Sequence, residues 1–215
     1  MSESAFERAG NLEALGLEHG FGRLGSSEAA AADVALPRQV HGSALARAPF
    51  AARPEADAVW SDRPGAAVGV VTADCVPILV AHRGGRFVCA IHAGWRGSAA
   101  RIAARTVRAL VQATGARPAE LVAAIGPHVG PCCYEVDAPV LAKIPERSVF
   151  RPARPGHAYL DLFALNRLQL VGAGVPARAI ERAGGCTSCH PERYASYRRD
   201  RTPGRLVHFI RLGAE

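Results

Sequence analysis

The chain has 215 residues and a formal net charge of +7, with 49% hydrophobic and 21% charged residues. At about 150 residues per domain this is one domain, large enough to fold without a disulfide or metal to hold it. No apolar run approaches the roughly 18 residues of a spanning helix, and MSESAFERAG lacks the basic-then-apolar order of a secretory signal, so the expectation is a cytoplasmic protein whose six cysteines are thiols or metal ligands.

The first 35 residues are weakly patterned, with Gly16, Gly20, Gly22 and Gly25 interrupting any helix. Residues 1–38 read as a short irregular segment ahead of a catalytic domain over 39–215. A Pro- and Ala-rich stretch at 44–54 reads as a loop. Apolar, β-branched runs at 67–72, 78–82 and 86–93 predict strands, with Gly84-Gly85 as a tight hairpin between the last two. Ser98 is placed to cap a helix whose apolar face is Ala103, Val107, Leu110 and Val111, ended by Gly115. Residues 121–125 predict a buried strand stopped by Gly126-Pro127. Asp137 and Asp161 are placed to cap two further helices, the second with Leu162, Leu165, Leu168 and Val171 inward. Residues 206–212 predict a last strand. Without regular βαβ alternation, the order predicts a mixed α+β fold: mixed sheets packed together with helices on the outside.

The hairpin carries a geometric prediction. With Arg83 opposite Arg86, Cys75 falls opposite Gly94, and His92 shares a face with Cys75 as its diagonal neighbour, Cα atoms about 7–8 Å apart. That spacing suits two ligands of one metal or a Cys–His catalytic pair. Cys89 has the other parity and reads as a core residue. Pro77 is the one residue placed to break the register with a bulge. Sulfur and imidazole donors suit zinc or copper, and His41 is a candidate third ligand.

All the cations but Lys143 are arginines, scattered along the chain, which favours a small anionic partner over a polynucleotide. Cys186-Thr187-Ser188-Cys189-His190 has the haem-attachment pattern, but no export signal accompanies it and the lone methionine is Met1. Cys132-Cys133 with Cys186 and Cys189 has the residues of a zinc site or a redox pair, but adjacent cysteines are poorly placed to share one tetrahedral ion. Eight histidines include no His-x-His pair, the motif expected of a trinuclear copper cluster.

QVHG at 39–42, DAVWSDRPGAAVGVVTADCVPILV at 57–80, IHAGWRG at 91–97, IGPHVGPCCYEV at 125–136 and CTSCHPERYASYRRD at 186–200 resemble the YfiH family, formerly called multicopper polyphenol oxidases or laccase-domain proteins. The resemblance implies a zinc-dependent enzyme that phosphorolyses adenosine, inosine and methylthioadenosine and deaminates adenosine, with His41, Cys75 and His92 as ligands; copper is a possible substitute. Phosphorolysis needs cations for phosphate, and Arg198, Arg199 and Arg205 are candidates; Glu135 and Asp74 are candidates for moving protons. The chain departs from the family in a shortened region before Gln39 and in Thr202-Pro203-Gly204-Arg205, where the family has Thr-Gly-Arg. Two other readings stay open: a cysteine amidase with a Cys75–His92 pair, of the kind that edits peptidoglycan precursors, and a basic nucleotide-binding module without catalysis. The expected partner is a small molecule, with no membrane, and the expected state a monomer or homodimer.

Overall fold

The computed structural model describes residues 5–26, 32–201 and 204–214. Its centre is a mixed sheet of six strands: β4 (Leu45–Arg47), β5 (Ala58–Ser61), β7 (Val76–His82), β8 (Val88–Ala93), β9 (Leu121–Ile125) and β13 (Ile180–Arg182), in the order β13-β9-β7-β8-β5-β4. Inner neighbours are antiparallel and both edge pairs are parallel. A second sheet, β1 (Phe6–Glu7), β2 (His19–Gly22), β3 (Val34–Ala35), β6 (Ala67–Thr72) and β14 (Leu206–Arg211), runs β1-β2-β14-β6-β3. A small third sheet joins β10 (Glu135–Val136), β11 (Phe150–Pro152) and β12 (Ala158–Leu160).

Burial explains the layering. Every residue of β7 is buried, as a strand covered on both faces must be. One face of the six-stranded sheet, with Val59, Leu79, Ala81, Val88 and Ala90, packs on Phe21, Val68, Val70 and Ile210 of the five-stranded sheet. The opposite face, with Ile78, Val80, Cys89 and Ile91, packs on helices α3 (Ile102–Thr114) and α5 (Leu162–Gly172). The fold is a single mixed α+β domain, as the order of elements predicted.

Several local expectations need correction. The hairpin turn spans residues 83–86 rather than two glycines: Gly85 N–H donates to His82 O, His82 N–H donates to Phe87 O, and Gly85 takes the positive φ. One residue is added on each side, so the register is unchanged: Val76 faces Ala93 and Pro77 faces His92, with no bulge. The stretch at 44–54 contains β4, and the N-terminal region forms β1, β2 and a short helix, α1 (Gly10–Glu13). Ser98 does not cap a helix. It lies inside α2 (Trp95–Ala99), and α3 begins only after Arg101 turns the chain with φ of +61°. Leu168 and Val171 face outward, 45% and 37% exposed, while Asn166 and Gln169 are buried. They turn inward because α5 meets the end of α2: Asn166 Nδ2 donates to Ser98 Oγ at 3.0 Å and Gln169 Nε2 to Ser98 O at 2.7 Å. Asp161 caps α5 through Ala164 N–H at 2.9 Å, whereas Asp137 makes no side-chain bond to the helix α4 (Ala138–Leu141) that follows it.

Candidate functional site

Strands β5, β7 and β8 bring their chemistry to one end of the central sheet. Asp57 immediately precedes β5, Cys75 immediately precedes β7, and His92 is the next-to-last residue of β8. The register places Cys75 opposite Gly94 and on the face of His92, and Cys89 on the other face, as the parity argument required. A side chain at 94 has no room: a Cβ there would sit 2.9 Å from Cys75 Sγ and 3.3 Å from His41 Cδ2.

His41 reaches the same place from the loop before β4. Its φ of +60° is a left-handed conformation that strains a non-glycine residue. The fully buried Asp57 carboxylate holds it there. Oδ1 accepts from His41 N–H at 2.9 Å, and Oδ2 from Gly42 N–H at 2.7 Å and Val40 N–H at 3.2 Å. Oδ1 also pairs with His92 Nδ1 at 2.7 Å, which leaves Nε2 of His92 free to face the sulfur. The two imidazole rings lie 4.9 Å apart and nearly perpendicular. Gln39 fixes the loop from the other side, donating to Val71 O at 2.7 Å and accepting from Val71 N–H at 2.8 Å.

The electrostatics follow from this packing. Burial pushes the Cys75 thiol up, but hydrogen bonds and positive charge from His41 and His92 outweigh it and bring the thiol down to about 6. Burial pushes His92 down, and the bonds to Asp57 and Cys75 reverse this and raise it to about 9. Asp57 is pulled up by burial yet ends below the usual carboxylate range because His92 and the amides of Gly42 and Val40 bind its charged form.

One donor atom each from His41, Cys75 and His92 lie within 4.8 Å of one another. Ligands of a tetrahedral zinc ion stand about 3.3–3.6 Å apart, so small side-chain rotations close the set. The thiolate form of Cys75 and the carboxylate behind His92 are the features of a metal-binding trio. His41, Cys75 and His92 all line a cavity of about 770 Å³, within the range of small-ligand sites. Its walls include Gln39, Asp74, Tyr134, Tyr197, Arg198 and Arg205.

The other predicted residues separate into two groups. Arg198 and Arg205 line the cavity. Arg198 is anchored by its N–H to Asp74 Oδ2 at 2.6 Å and by Nη2 to Glu135 O at 2.7 Å. Arg199 is not on the cavity wall: it binds Asp200 and the carbonyls of Thr187, Ser188 and Tyr194. The Glu135 side chain pairs with Arg154 at 2.6 Å beside a neighbouring, smaller cleft. Asp74, at φ of +81°, accepts from Thr187 Oγ1 and from Arg198 N–H, both at 2.6 Å, so it positions the wall rather than standing free as a base. Thr202-Pro203 lies outside the described residues.

Asp57, Gln39, Tyr134 and Tyr197 were not singled out from the sequence. Asp57 did carry a signal, a lone charge at the head of the apolar run 58–60. The tyrosines carried none. The adjacent cysteines also behave differently from expectation: Cys132, Cys133, Cys186 and Cys189 bring their sulfurs within 4.8 Å of one another. The 130–134 turn presents both neighbours to a loop docked over it.

Residues 21–213 match the family described as multi-copper polyphenol oxidoreductase laccase. The chain belongs to this family. Within it, the chain is 39% identical over 188 residues to a purine nucleoside phosphorylase of Xylella fastidiosa, covering 82% of this chain and 71% of that one. It is 36% identical over 181 residues to the purine nucleoside phosphorylase YfiH of Escherichia coli, covering 81% and 72%. The crystal structure of YlmD from Geobacillus stearothermophilus superposes with a TM-score of 0.87 at 29% identity, over 99% and 98% of the chains. A Bacillus licheniformis protein YfiH, of hypothetical function, gives 0.89 at 27% identity, again over 99% and 98%. Among the described residues, two converging donor groups have the residues to hold a metal ion: His41, Cys75 and His92, and Cys132, Cys133, Cys186 and Cys189. Among the described residues no helix is long and apolar enough to cross a membrane.

Proposed function

We propose that this chain is a zinc-dependent purine nucleoside phosphorylase acting on adenosine, inosine and methylthioadenosine, with adenosine deaminase activity at the same site. The observation that carries the reading is the cavity itself, where His41, Cys75 and His92 share walls with five arginines, Arg198 and Arg205 among them, and two tyrosines. The names of the family relatives support the substrate class.

His41, Cys75 and His92 would hold the zinc ion, which would supply Lewis acidity when bound. The chain's own residues do the rest. Arg198 and Arg205 present guanidinium N–H groups to phosphate, whose oxygen attacks ribose C1′ as the C1′–N9 bond breaks. The departing base takes the proton that hydrogen phosphate gives up as it becomes ribose 1-phosphate. Tyr134 and Tyr197 offer flat faces to the base and exclude water from C1′. Asp57 and Gln39 hold the His41 loop, and Asp74 holds Arg198 in place through its backbone.

Incubation with adenosine and phosphate tests this directly. The expected products are adenine and ribose 1-phosphate, with inosine from the deaminase branch. No product from zinc-loaded protein would remove the reading.

One observation favours a second reading. A Cys75 thiol lowered to about 6 beside a raised His92 is also the ion pair of a cysteine nucleophile, which fits an amidase. Alkylation of Cys75 while zinc content is followed separates the two. Loss of activity in protein that was active without metal selects the nucleophile.

A further inference from the structure

We propose that Cys132, Cys133, Cys186 and Cys189 bind a single zinc ion as a tetrathiolate clip, a second metal site separate from the His41–Cys75–His92 centre. The geometry is that of one ion. Cys189 Sγ lies 3.5 Å from Cys132 Sγ and 3.4 Å from Cys133 Sγ, and all four sulfurs fall within 4.8 Å of one another. With Zn–S near 2.3 Å, the edge of a ZnS₄ tetrahedron is about 3.8 Å. All four cysteines are free thiols. A cluster of several irons would spread its thiolates wider than this.

The surrounding backbone is arranged for the sulfurs. Cys186 and Cys189 form a C-x₂-C turn, closed by Cys189 N–H donating to Cys186 O at 3.2 Å. Opposite it, the N–H groups of Cys133 and Tyr134 both donate to Gly130 O at 3.0 Å, which curls the tandem cysteines toward the C-x₂-C loop. Gly130 N–H donates to Cys186 Sγ at 3.2 Å, a backbone bond of the kind that supports a thiolate ligand. A side chain at Gly130 would crowd the sulfurs, since a Cβ there would lie 3.3 Å from Cys132 Sγ and from Cys186 Cβ. A bridge between His128 and Cys186 brings the two loops together. Binding exchanges four S–H bonds for four Zn–S bonds and releases the protons to solvent, with no oxidant involved.

The clip joins two walls of the cavity. Tyr134 directly follows Cys133, and Thr187, inside the C-x₂-C loop, donates to Asp74 next to Cys75. The ion therefore ties the 130–134 turn and the 186–189 loop into one frame.

Metal content and cobalt spectroscopy on the full chain test the site. Relative to the parent, Cys186→Ser/Cys189→Ser should lose one zinc equivalent. A His41→Ala/His92→Ala chain should still bind one cobalt(II), with the intense thiolate-to-cobalt charge transfer and visible bands of four sulfur ligands. Cys132→Ser, at an exposed position, covers the chance that the double cysteine variant fails to fold; it should keep its circular dichroism and lose part of the charge-transfer intensity. The proposal falls if folded His41→Ala/His92→Ala protein binds no cobalt, if folded Cys132→Ser leaves the spectrum unchanged, or if the four thiols are recovered as disulfides without metal. None of these outcomes bears on nucleoside turnover, so the catalytic reading stands or falls separately.

Discussion

Asp57 is the residue on which both imidazoles depend. Its carboxylate accepts three backbone N–H groups of the His41 loop and the Nδ1 hydrogen of His92, in full burial. Asp57→Asn is expected to weaken zinc binding at the trio about 10–100-fold, measured by chelator competition. Gly94→Ala pushes a methyl group against Cys75 Sγ, and the expected outcome is loss of that ion with circular dichroism unchanged. In metal-free protein, alkylation of Cys75 followed by peptide mass spectrometry should accelerate with a midpoint near pH 6, and His92→Ala should move the midpoint upward. Sequence alone nominated Cys75 and His92 because strand parity is short-range arithmetic. It did not nominate Asp57, whose importance comes from four bonds converging across 17 and 35 residues of chain.

At the scale of elements, local patterning was legible wherever one face met an apolar partner. The strands at 67–72 and 121–125 coincide with β6 and β9, and the β7–β8 register follows from two glycines between apolar runs. Helix α5 was misread because its inward face is partly polar. Leucine spacing pointed to Leu168 and Val171, but the tertiary neighbour is the end of α2, where Asn166 donates to the buried Ser98 hydroxyl and Gln169 to the Ser98 carbonyl. Asn166→Ala leaves Ser98 Oγ without this donor, and the expected cost is about 1–3 kcal/mol, read as a lower urea midpoint. Leu168→Ala, on the solvent side, should cost far less.

Across the whole molecule, buried histidines set the acid limit of stability. Burial pushes His208 down to about 3 and His128 to about 4, so both are neutral in the folded state at pH 7. In the unfolded chain each takes a proton near 6.5, so their contribution is complete above that pH and is lost as pH falls from 6.5 toward 4 and 3. For His128 alone the loss by pH 4 is on the order of 3 kcal/mol. His208 Nδ1 accepts from Gly22 N–H at 3.2 Å and Nε2 bonds Thr72 Oγ1 at 2.8 Å, contacts a glutamine can partly replace. His208→Gln should therefore flatten the slope of unfolding free energy between pH 6.5 and 4. His92 works in the opposite direction: its raised value makes its contribution fade as pH rises from 6.5 through about 9.

The layered sheets also divide the centre from its surroundings. Cys75 at the head of β7 and His92 within β8 are fixed by strands clamped between a sheet and a helix layer, whereas Tyr134, Tyr197, Arg198 and Arg205 stand on peripheral segments. Exchanges among the outer residues can reshape the cavity wall without disturbing the donor atoms of His41, Cys75 and His92. The shape and charge of the cavity wall can thus change while the packing at the sheet end stays intact.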